Sequence, residues 1–193
     1  MRSKRFIAVY ILFFALVIAL SLRFDTEIIQ FIAGLRINLL SQILIGVVYI
    51  SSEIIIFFFL TSLFLLNEGK KKWIAPLWLT LFLAVVLSYS LKIIFQRSRP
   101  FQLGLVASIL PIESFPTWDY SFPSFQAMMV FAAVPLLSKE FPRFKYVWIC
   151  FASLIAFSRL YFGVHFLSDV LIGGLIGYLL GFVIVESEIK NRT

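Results

Sequence analysis

The sequence predicts an all-α, polytopic membrane protein in which six transmembrane helices form one bundle. Hydrophobic residues make up 61% of the 193-residue chain and only 14% of its residues are charged, against about 25% in a typical soluble domain. Six apolar runs each approach the roughly 20 residues that cross a bilayer as a helix. No polar segment between these runs is long enough to fold by itself, so we expect residues 1–193 to form a single transmembrane domain.

The predicted spans lie at 6–22, 43–66, 73–91, 121–138, 146–162 and 166–185. The first run follows basic residues, as in a signal peptide, but no small-x-small cleavage site ends it, so we expect a retained helix. Over 24–37 apolar residues recur at helical spacing, and charged or amide side chains separate them. This pattern predicts a short interfacial helix after the first span; the alternative is an extension of the second span.

Lysine and arginine predict the orientation of the bundle, because positive residues concentrate in cytoplasmic loops. Eleven of them fall on one side of the predicted membrane and six on the other. The six are Arg23, Arg36, Lys92, Arg97, Arg99 and Arg159. We therefore expect a cell-membrane protein with both termini in the cytoplasm and with the loops 23–42, 92–122 and 159–166 facing outward.

The net charge of +7 does not by itself indicate nucleic acid. Most of the positive residues flank apolar runs, where they set topology and contact lipid headgroups, so we expect membrane lipid and no nucleic acid among the partners. The chain has one histidine and one cysteine, which excludes a metal site built from several His and Cys ligands. A carboxylate metal site is not excluded by composition but has no motif, and no metal or organic cofactor is expected.

The one histidine lies in the most informative segment. Asp169 follows His165 by four positions, one helical turn, so its carboxylate can reach the imidazole. Arg159 lies six residues before His165. A nucleophile or base, an orienting carboxylate and an anion-binding guanidinium beside a membrane indicate phosphoryl transfer.

Further cations are predicted at the same outer face. Lys92 ends the third span, Arg99 follows it, and Ser124 lies at the start of the fourth span. Positive residues on the side that the charge rule leaves poor in them indicate a pocket for a lipid phosphate.

Two motifs carry a resemblance to a known family. The segment Lys92–Pro100 has the form K-x6-R-P, and Ser158–Asp169 has the form S-R-x5-H-x3-D. In this order and topology they resemble the motifs of the type 2 phosphatidic acid phosphatase superfamily. The resemblance implies a metal-independent phosphatase that acts on lipid phosphates or diphosphates through a phosphohistidine intermediate.

The resemblance also implies a role for each matching residue. His165 would be the nucleophile, Asp169 would orient its imidazole, and Ser124 would contact the phosphate. The cations that would hold the phosphate oxygens are Lys92, Arg99 and Arg159.

The middle motif departs from the family pattern P-S-G-H, because this chain has Pro123-Ser124-Phe125-Gln126. Gln126 has no titratable proton for a leaving group, and general acid catalysis contributes roughly 10²–10⁴-fold. An alkoxide is about as basic as hydroxide, the base of water with its pKa of about 15.7, and needs that proton. A phosphomonoester, with a second pKa of about 6, does not. We therefore expect a lipid diphosphate substrate, namely a polyprenyl diphosphate of the undecaprenyl or dolichyl type.

Several side chains near the motifs have two interpretations. Gln126 can still donate an amide hydrogen bond to the leaving oxygen. Arg97 is expected either to contact the second phosphate or to be a solvated interfacial arginine. Asp119 or Glu113 is an alternative source of the acid, although a loop carboxylate is more often only solvated.

Three other functions stay open. One is a phosphatidic acid or phosphatidylglycerol phosphate phosphatase, and another is phosphoryl transfer to an acceptor other than water. The third is a catalytically weak protein that binds or moves a lipid phosphate, which Phe125 in place of glycine favours.

Glu53 lies inside the second span, where an acidic residue is by default taken to be functional, and a structural role is an equal alternative. A helix-packing face is predicted from Gly173, Gly177 and Gly181.

Overall fold

The computed structural model describes residues 2–112, 115–116 and 118–192, with side chains from Leu12 onward except those of Glu53 and Arg192. The helices in these ranges are α1 (Arg2–Gly34), α2 (Asn38–Ile50), α3 (Glu53–Leu65), α4 (Ile74–Phe95), α5 (Phe125–Glu140), α6 (Lys145–Tyr161) and α7 (Leu167–Arg192). Short 3₁₀ helices at Glu68–Trp73 and Pro142–Phe144 lead into α4 and α6. The described ranges contain no strand, so the predicted all-α class is confirmed.

Three helical segments in the described residues are long and apolar enough to cross a membrane: Glu68–Phe95, Pro142–Tyr161 and Leu167–Asn191. A fourth span results if Leu12–Gly34 and Asn38–Ile50, which are bent by 113° at their junction, count as one. The six-span bundle is therefore not confirmed. Its predicted second span is interrupted at Ser51 and Ser52, and the 16 residues of α5 fall short of the roughly 20 that a span needs.

The predicted interfacial segment is continuous with the first predicted span. Both lie in α1, and the helix is interrupted at Phe24, whose φ of −113° and ψ of 17° are not helical. The part of α1 after Phe24 buries Asp25 and Ile29 and exposes Glu27. This helix ends at Gly34 and so does not extend the second predicted span, while its position in the membrane interface stays a prediction.

Three glycines bring α5 and α7 into close contact. A Cβ atom on Gly177 would lie 2.1 Å from the Met128 carbonyl oxygen, and one on Gly181 would lie 2.1 Å from the Ala132 carbonyl oxygen. A Cβ on Gly173 would lie 2.7 Å from the Ser124 carbonyl oxygen. The glycine face is thus a helix-packing face, as predicted, because only a residue without a side chain permits this approach.

This close packing fixes the start of α5 against the first turn of α7. The Ser124 backbone N–H donates to the Asp169 carbonyl oxygen over 3.0 Å. The chain segment from 96 to 124 joins α4 to α5, and the turn at 162–166 joins α6 to α7. These two connections meet at the same end of the bundle, since Arg99 Nη1 donates to the Val164 carbonyl oxygen over 2.8 Å.

Candidate active site

The residues that the motifs single out lie at the ends of four helices and in the connections between them. Lys92 belongs to the last turn of α4, Ser124 precedes α5, and Arg159 belongs to the last turn of α6. His165 precedes α7, and Asp169 lies in its first turn. All five residues and Arg99 are at most 4% exposed. Such burial of ionisable groups is rare unless they are paired, so their partners define the site.

The imidazole of His165 is held in one orientation. Its Nδ1 lies 2.7 Å from the Ser121 carbonyl oxygen, which can only accept a hydrogen bond. Nδ1 therefore carries the proton, and Nε2 presents a lone pair. Nε2 lies 3.3 Å from Arg99 Nη1. Burial, reinforced by the Arg99 cation, lowers the pKa of His165 from 6.5 to about 3, so the ring is neutral at physiological pH.

Asp169 stabilises the turn that carries His165. Its Oδ2 accepts hydrogen bonds from the Phe166 backbone N–H, over 2.8 Å, and from the Ser121 hydroxyl. The same oxygen lies 3.7 Å from His165 Nδ1, which is beyond hydrogen-bond length. Asp169 is thus close enough for charge to act on the imidazole, and it also holds Ser121, whose carbonyl makes the direct hydrogen bond to His165.

Arg99 is fixed by backbone carbonyls on two sides. Its Nε donates to the Asp119 carbonyl oxygen and its Nη1 to the Val164 carbonyl oxygen, each over 2.8 Å. Burial lowers the pKa of Arg99, and the Asp119 carboxylate opposes that change. Arginine stays charged in proteins, so a fixed cation lies beside the lone pair of His165.

The side chain of Asp119 joins two of the predicted phosphate-binding cations. Oδ1 lies 2.8 Å from Lys92 Nζ, and Oδ2 lies 2.8 Å from Arg99 Nη2. Burial raises the pKa of Asp119, but Arg99 and Lys92 outweigh it and hold the pKa below its ordinary value. Asp119 is therefore a carboxylate and has no proton to donate, while Glu113, the other acid considered, lies outside the described residues.

Arg97 lies between two buried carboxylates. Its Nη1 donates to Asp169 Oδ1 over 2.6 Å, and its Nη2 donates to Asp25 Oδ2 over 2.8 Å. Asp25 also accepts the Ser168 backbone N–H over 3.0 Å and the Ser168 hydroxyl. In this structure Arg97 therefore links α1 to the first turn of α7, and its contact with a second phosphate stays a prediction.

Ser124 and Arg159 complete the set. The Ser124 hydroxyl is buried and has no hydrogen-bond partner among the described residues, so it is available to a ligand. Arg159 Nη2 lies 3.5 Å from the Ser51 hydroxyl, at the end of α2.

Gln126 lies in the first turn of α5 and is partly buried. The described residues contain no group of three or more His, Cys, Asp or Glu that could hold a metal ion.

Ser121 and Asp25 were not found from the sequence as parts of the site, and Asp119 was considered only as an alternative source of the acid. Ser121 and Asp119 lie in a loop whose course no motif predicts, and Asp25 lies in α1, 143 residues before its partner Ser168. Their only signal in the sequence is polarity next to apolar runs, which interfacial residues share.

Comparison with known proteins now identifies the family. A family model described as the PAP2 superfamily matches residues 73–192. The chain belongs to the PAP2 superfamily. The resemblance drawn from the two motifs is therefore confirmed. The matched region of this PAP2 chain begins at the last residue before α4 and contains every motif residue discussed above.

Solved structures share the PAP2 fold. A crystal structure described as the first transmembrane PAP2 type phosphatidylglycerolphosphate phosphatase, from Bacillus subtilis, superposes with a TM-score of 0.75 at 22% identity, covering 95% of this chain and 96% of that one. Aquifex aeolicus LpxE superposes with a TM-score of 0.69 at 31% identity, covering 84% of this chain and 94% of that one.

A curated relative shares sequence with this PAP2 chain. It is an undecaprenyl-diphosphatase from Sulfolobus acidocaldarius, 33% identical over 129 residues. The alignment takes in 66% of this chain and 61% of the relative, so this chain spans less than two thirds of the relative's length.

Proposed function

We propose that the protein is an integral membrane lipid phosphatase in which His165 attacks a terminal phosphorus. The observation that carries the proposal is the fixed, neutral imidazole: Nδ1 lies 2.7 Å from the Ser121 carbonyl oxygen, and Nε2 faces the Arg99 guanidinium. A lone pair beside a fixed cation is suited to attack on an anionic phosphoryl group, whose charge would otherwise repel a nucleophile.

In the first step Nε2 of His165 forms a bond to phosphorus, and the bond from phosphorus to the bridging oxygen breaks. Lys92, Arg99 and Arg159 stabilise the charge on the oxygens of the transferring group, and the Ser124 hydroxyl donates to one of them. The imidazole gains positive charge as the bond forms. The Ser121 carbonyl and the Asp169 carboxylate, 3.7 Å from Nδ1, stabilise that charge.

In the second step a water molecule attacks the phosphohistidine. The bond from phosphorus to Nε2 breaks, inorganic phosphate leaves, and the proton of the water goes to the phosphate or to solvent. The imidazole returns to the neutral form with its proton on Nδ1.

The preferred substrate is a lipid diphosphate, and a polyprenyl diphosphate is the substrate we propose. Gln126 replaces the acid of the family motif, and Asp119 is held as a carboxylate by Lys92 and Arg99. A leaving group that needs a proton is therefore disfavoured, whereas a lipid monophosphate, with a second pKa of about 6, leaves without one. The curated relative's name, undecaprenyl-diphosphatase, supports this substrate class.

We also propose that the site faces the extracytoplasmic side, since the basic loops of the opposite end of the bundle follow the positive-inside rule. A protein in this position would act on a prenyl diphosphate released when a glycan is transferred from its lipid carrier.

Phosphate release by the purified protein tests the proposal. A prenyl diphosphate, phosphatidic acid and phosphatidylglycerol phosphate are offered separately, with chelator present. We expect release from the diphosphate, unchanged by chelator and abolished by His165→Ala. Strong preference for either monoester contradicts the leaving-group argument, and lipid binding without release favours the alternative of a non-hydrolytic lipid-phosphate binding protein.

Gln126→His is the companion variant. Because it restores a titratable proton at the leaving group, we expect it to raise turnover of phosphatidic acid by roughly tenfold or more, with a smaller effect on the diphosphate. Gln126→Asn, which adds no acid, serves as the control. Unchanged monoester turnover in Gln126→His would mean that protonation of the leaving group does not limit this reaction.

A further inference from the structure

Two of the three phosphate-binding cations of the proposed phosphatase, Lys92 and Arg99, already have an anion between them. Both oxygens of the Asp119 carboxylate are engaged, one by Lys92 Nζ and one by Arg99 Nη2, each at 2.8 Å. Two oxygens of a tetrahedral phosphate can bridge the same two cations, because carboxylate and phosphate offer similar pairs of acceptors to charged donors. The inference below rests on the proposed function of this pair as a phosphate clamp.

The cations are held in place by contacts that do not involve the carboxylate. Arg99 donates to the carbonyl oxygens of Asp119 and Val164, and Lys92 donates to the carbonyl oxygen of Tyr120. The side chain of Asp119 contacts the two cations through these two ion pairs. The carboxylate can therefore leave while both cations keep their positions.

Exposure differs between the carboxylate and its partners. The side chain of Asp119 is 23% exposed, whereas those of Lys92 and Arg99 are 3% and 2% exposed. Asp119, on the loop that leads into α5, is thus the member of this cluster that solvent reaches most readily. A ligand from solvent can therefore contact the carboxylate while the two cations are still almost fully buried.

We propose that Asp119 is an internal competitor for the phosphate site. The substrate's terminal phosphate displaces the carboxylate from Lys92 and Arg99, and the carboxylate returns when inorganic phosphate leaves. When Asp119 occupies the site in most molecules, only the remaining fraction can bind phosphate. The apparent affinity for phosphate is then the intrinsic affinity multiplied by that fraction. Asp119 therefore sets the affinity for the phosphoryl group and favours release of the product.

Binding of inorganic phosphate to the full chain in detergent tests the proposal without relying on turnover. Titration calorimetry compares the wild type with Asp119→Asn, which keeps the shape of the side chain and removes its charge. We expect Asp119→Asn to bind phosphate roughly tenfold more tightly or better, because the competing anion is gone. Asp119→Glu keeps the charge and should bind as weakly as the wild type.

Glu68→Gln is the matched control. It makes the same change in net charge at a side chain that is 86% exposed and pairs with Lys71, outside the proposed site. We expect its phosphate affinity to equal that of the wild type. Equal gains in Glu68→Gln and Asp119→Asn would assign the effect to net charge and overturn the proposal.

A second measurement covers loss of stability in Asp119→Asn, where two buried cations lose a partner. Saturating phosphate should raise the midpoint of thermal unfolding more in Asp119→Asn than in the wild type, since a tighter ligand stabilises more at equal concentration. Phosphate affinity that is unchanged or weaker in Asp119→Asn overturns the proposal, and so does loss of kcat at unchanged affinity. Absence of phosphate release from every lipid by the wild type would instead overturn the proposed function and leave this binding test standing.

Discussion

The single histidine makes the state of the proposed nucleophile directly measurable. Burial and the Arg99 cation lower the pKa of His165 to about 3, so the neutral ring with its proton on Nδ1 persists in acid in which a solvated histidine, of pKa about 6.5, is protonated. Selective ¹⁵N labelling of histidine gives one pair of ring signals. At pH 5 we expect the signals of the neutral Nδ1–H tautomer.

An imidazolium spectrum at pH 5 would contradict this assignment. The lowered pKa of His165 also makes stability depend on pH. Between pH 6.5 and about pH 3 the unfolded chain binds a proton at His165 that the folded chain does not. The free energy of unfolding therefore falls as the pH decreases through this window. His165→Gln, which does not titrate, should lose less stability than the wild type between pH 7 and pH 4.5.

At the residue scale the sequence predicted the motif residues but not how they are linked. The spacing of His165 and Asp169 predicted that they lie close together, whereas Lys92 and Arg99 were inferred from their place at the outer face and from the family resemblance. The hydrogen bond from His165 to Ser121 depends on a backbone carbonyl, and every residue has one. No residue type marks which carbonyl a loop will bring to the ring.

At the scale of elements, α1 is joined to α7 through buried charge. Asp25 accepts hydrogen bonds from Arg97 and from the backbone of Ser168, and Arg97 also contacts Asp169. Asp25→Asn removes the charge that holds Arg97. Because a hydrogen bond to a charged group contributes about 1.5–3 kcal/mol, we expect kcat to fall at least roughly tenfold while KM changes little.

This split between kcat and KM distinguishes positioning from loss of substrate binding. The ¹⁵N signals of His165 should also shift in Asp25→Asn. Arg97, which contacts Asp169 near the imidazole, loses its ion pair with Asp25 in this variant. Glu27→Gln removes an exposed charge from the same helix and should leave both readouts unchanged. Reduced activity in proportion to the fraction of unfolded protein, with wild-type His165 signals, would mean that Asp25 is only structural.

The contact between α5 and α7 predicts sensitivity to a single methyl group. A Cβ on Gly177 would lie 2.1 Å from the Met128 carbonyl oxygen, so the two helices must separate in Gly177→Ala. Overpacking of this kind costs about 1–3 kcal/mol. We expect a lower midpoint of thermal unfolding and reduced turnover, because the start of α5 carries Ser124.

Gly46→Ala is the matched control. Gly46 lies within α2, and a Cβ there meets nothing within 4 Å, so alanine should be neutral or slightly stabilising through its higher helix propensity. A normal midpoint in Gly177→Ala would mean that the helices at this position have room that the packing does not indicate.

For the whole molecule, hydropathy predicted the class of fold better than the number of spans. The helix is interrupted at Ser51 and Ser52, but the apolar run continues across them, so hydropathy predicts one uninterrupted span there. The glycine face of α7 was predicted correctly, because a four-residue spacing places all three glycines on one side of a helix. The bend of 113° between α1 and α2 depends on tertiary contacts and leaves no periodic signal.

The orientation of the molecule is a prediction that chemical labelling in whole cells can check. In a Cys150→Ser background, Ala107→Cys introduces a thiol in the loop before α5, and Glu68→Cys introduces one at the opposite predicted side. We expect a membrane-impermeant maleimide to label the first and not the second. Labelling of Glu68→Cys alone would place the phosphatase site on the cytoplasmic side and remove the proposed link to extracytoplasmic carrier lipids.

The contacts of α1 and α2 also bear on how far this protein can be shortened. Two arginines of the site contact residues that precede the region shared with the family: Arg97 pairs with Asp25, and Arg159 lies 3.5 Å from the hydroxyl of Ser51. A fragment that starts at residue 73 would retain every hallmark by which the family is recognised, yet each of these guanidinium groups would lose a contact that lies outside it. A minimal version of this protein is therefore expected to need residues before the region 73–192 that the family model matches.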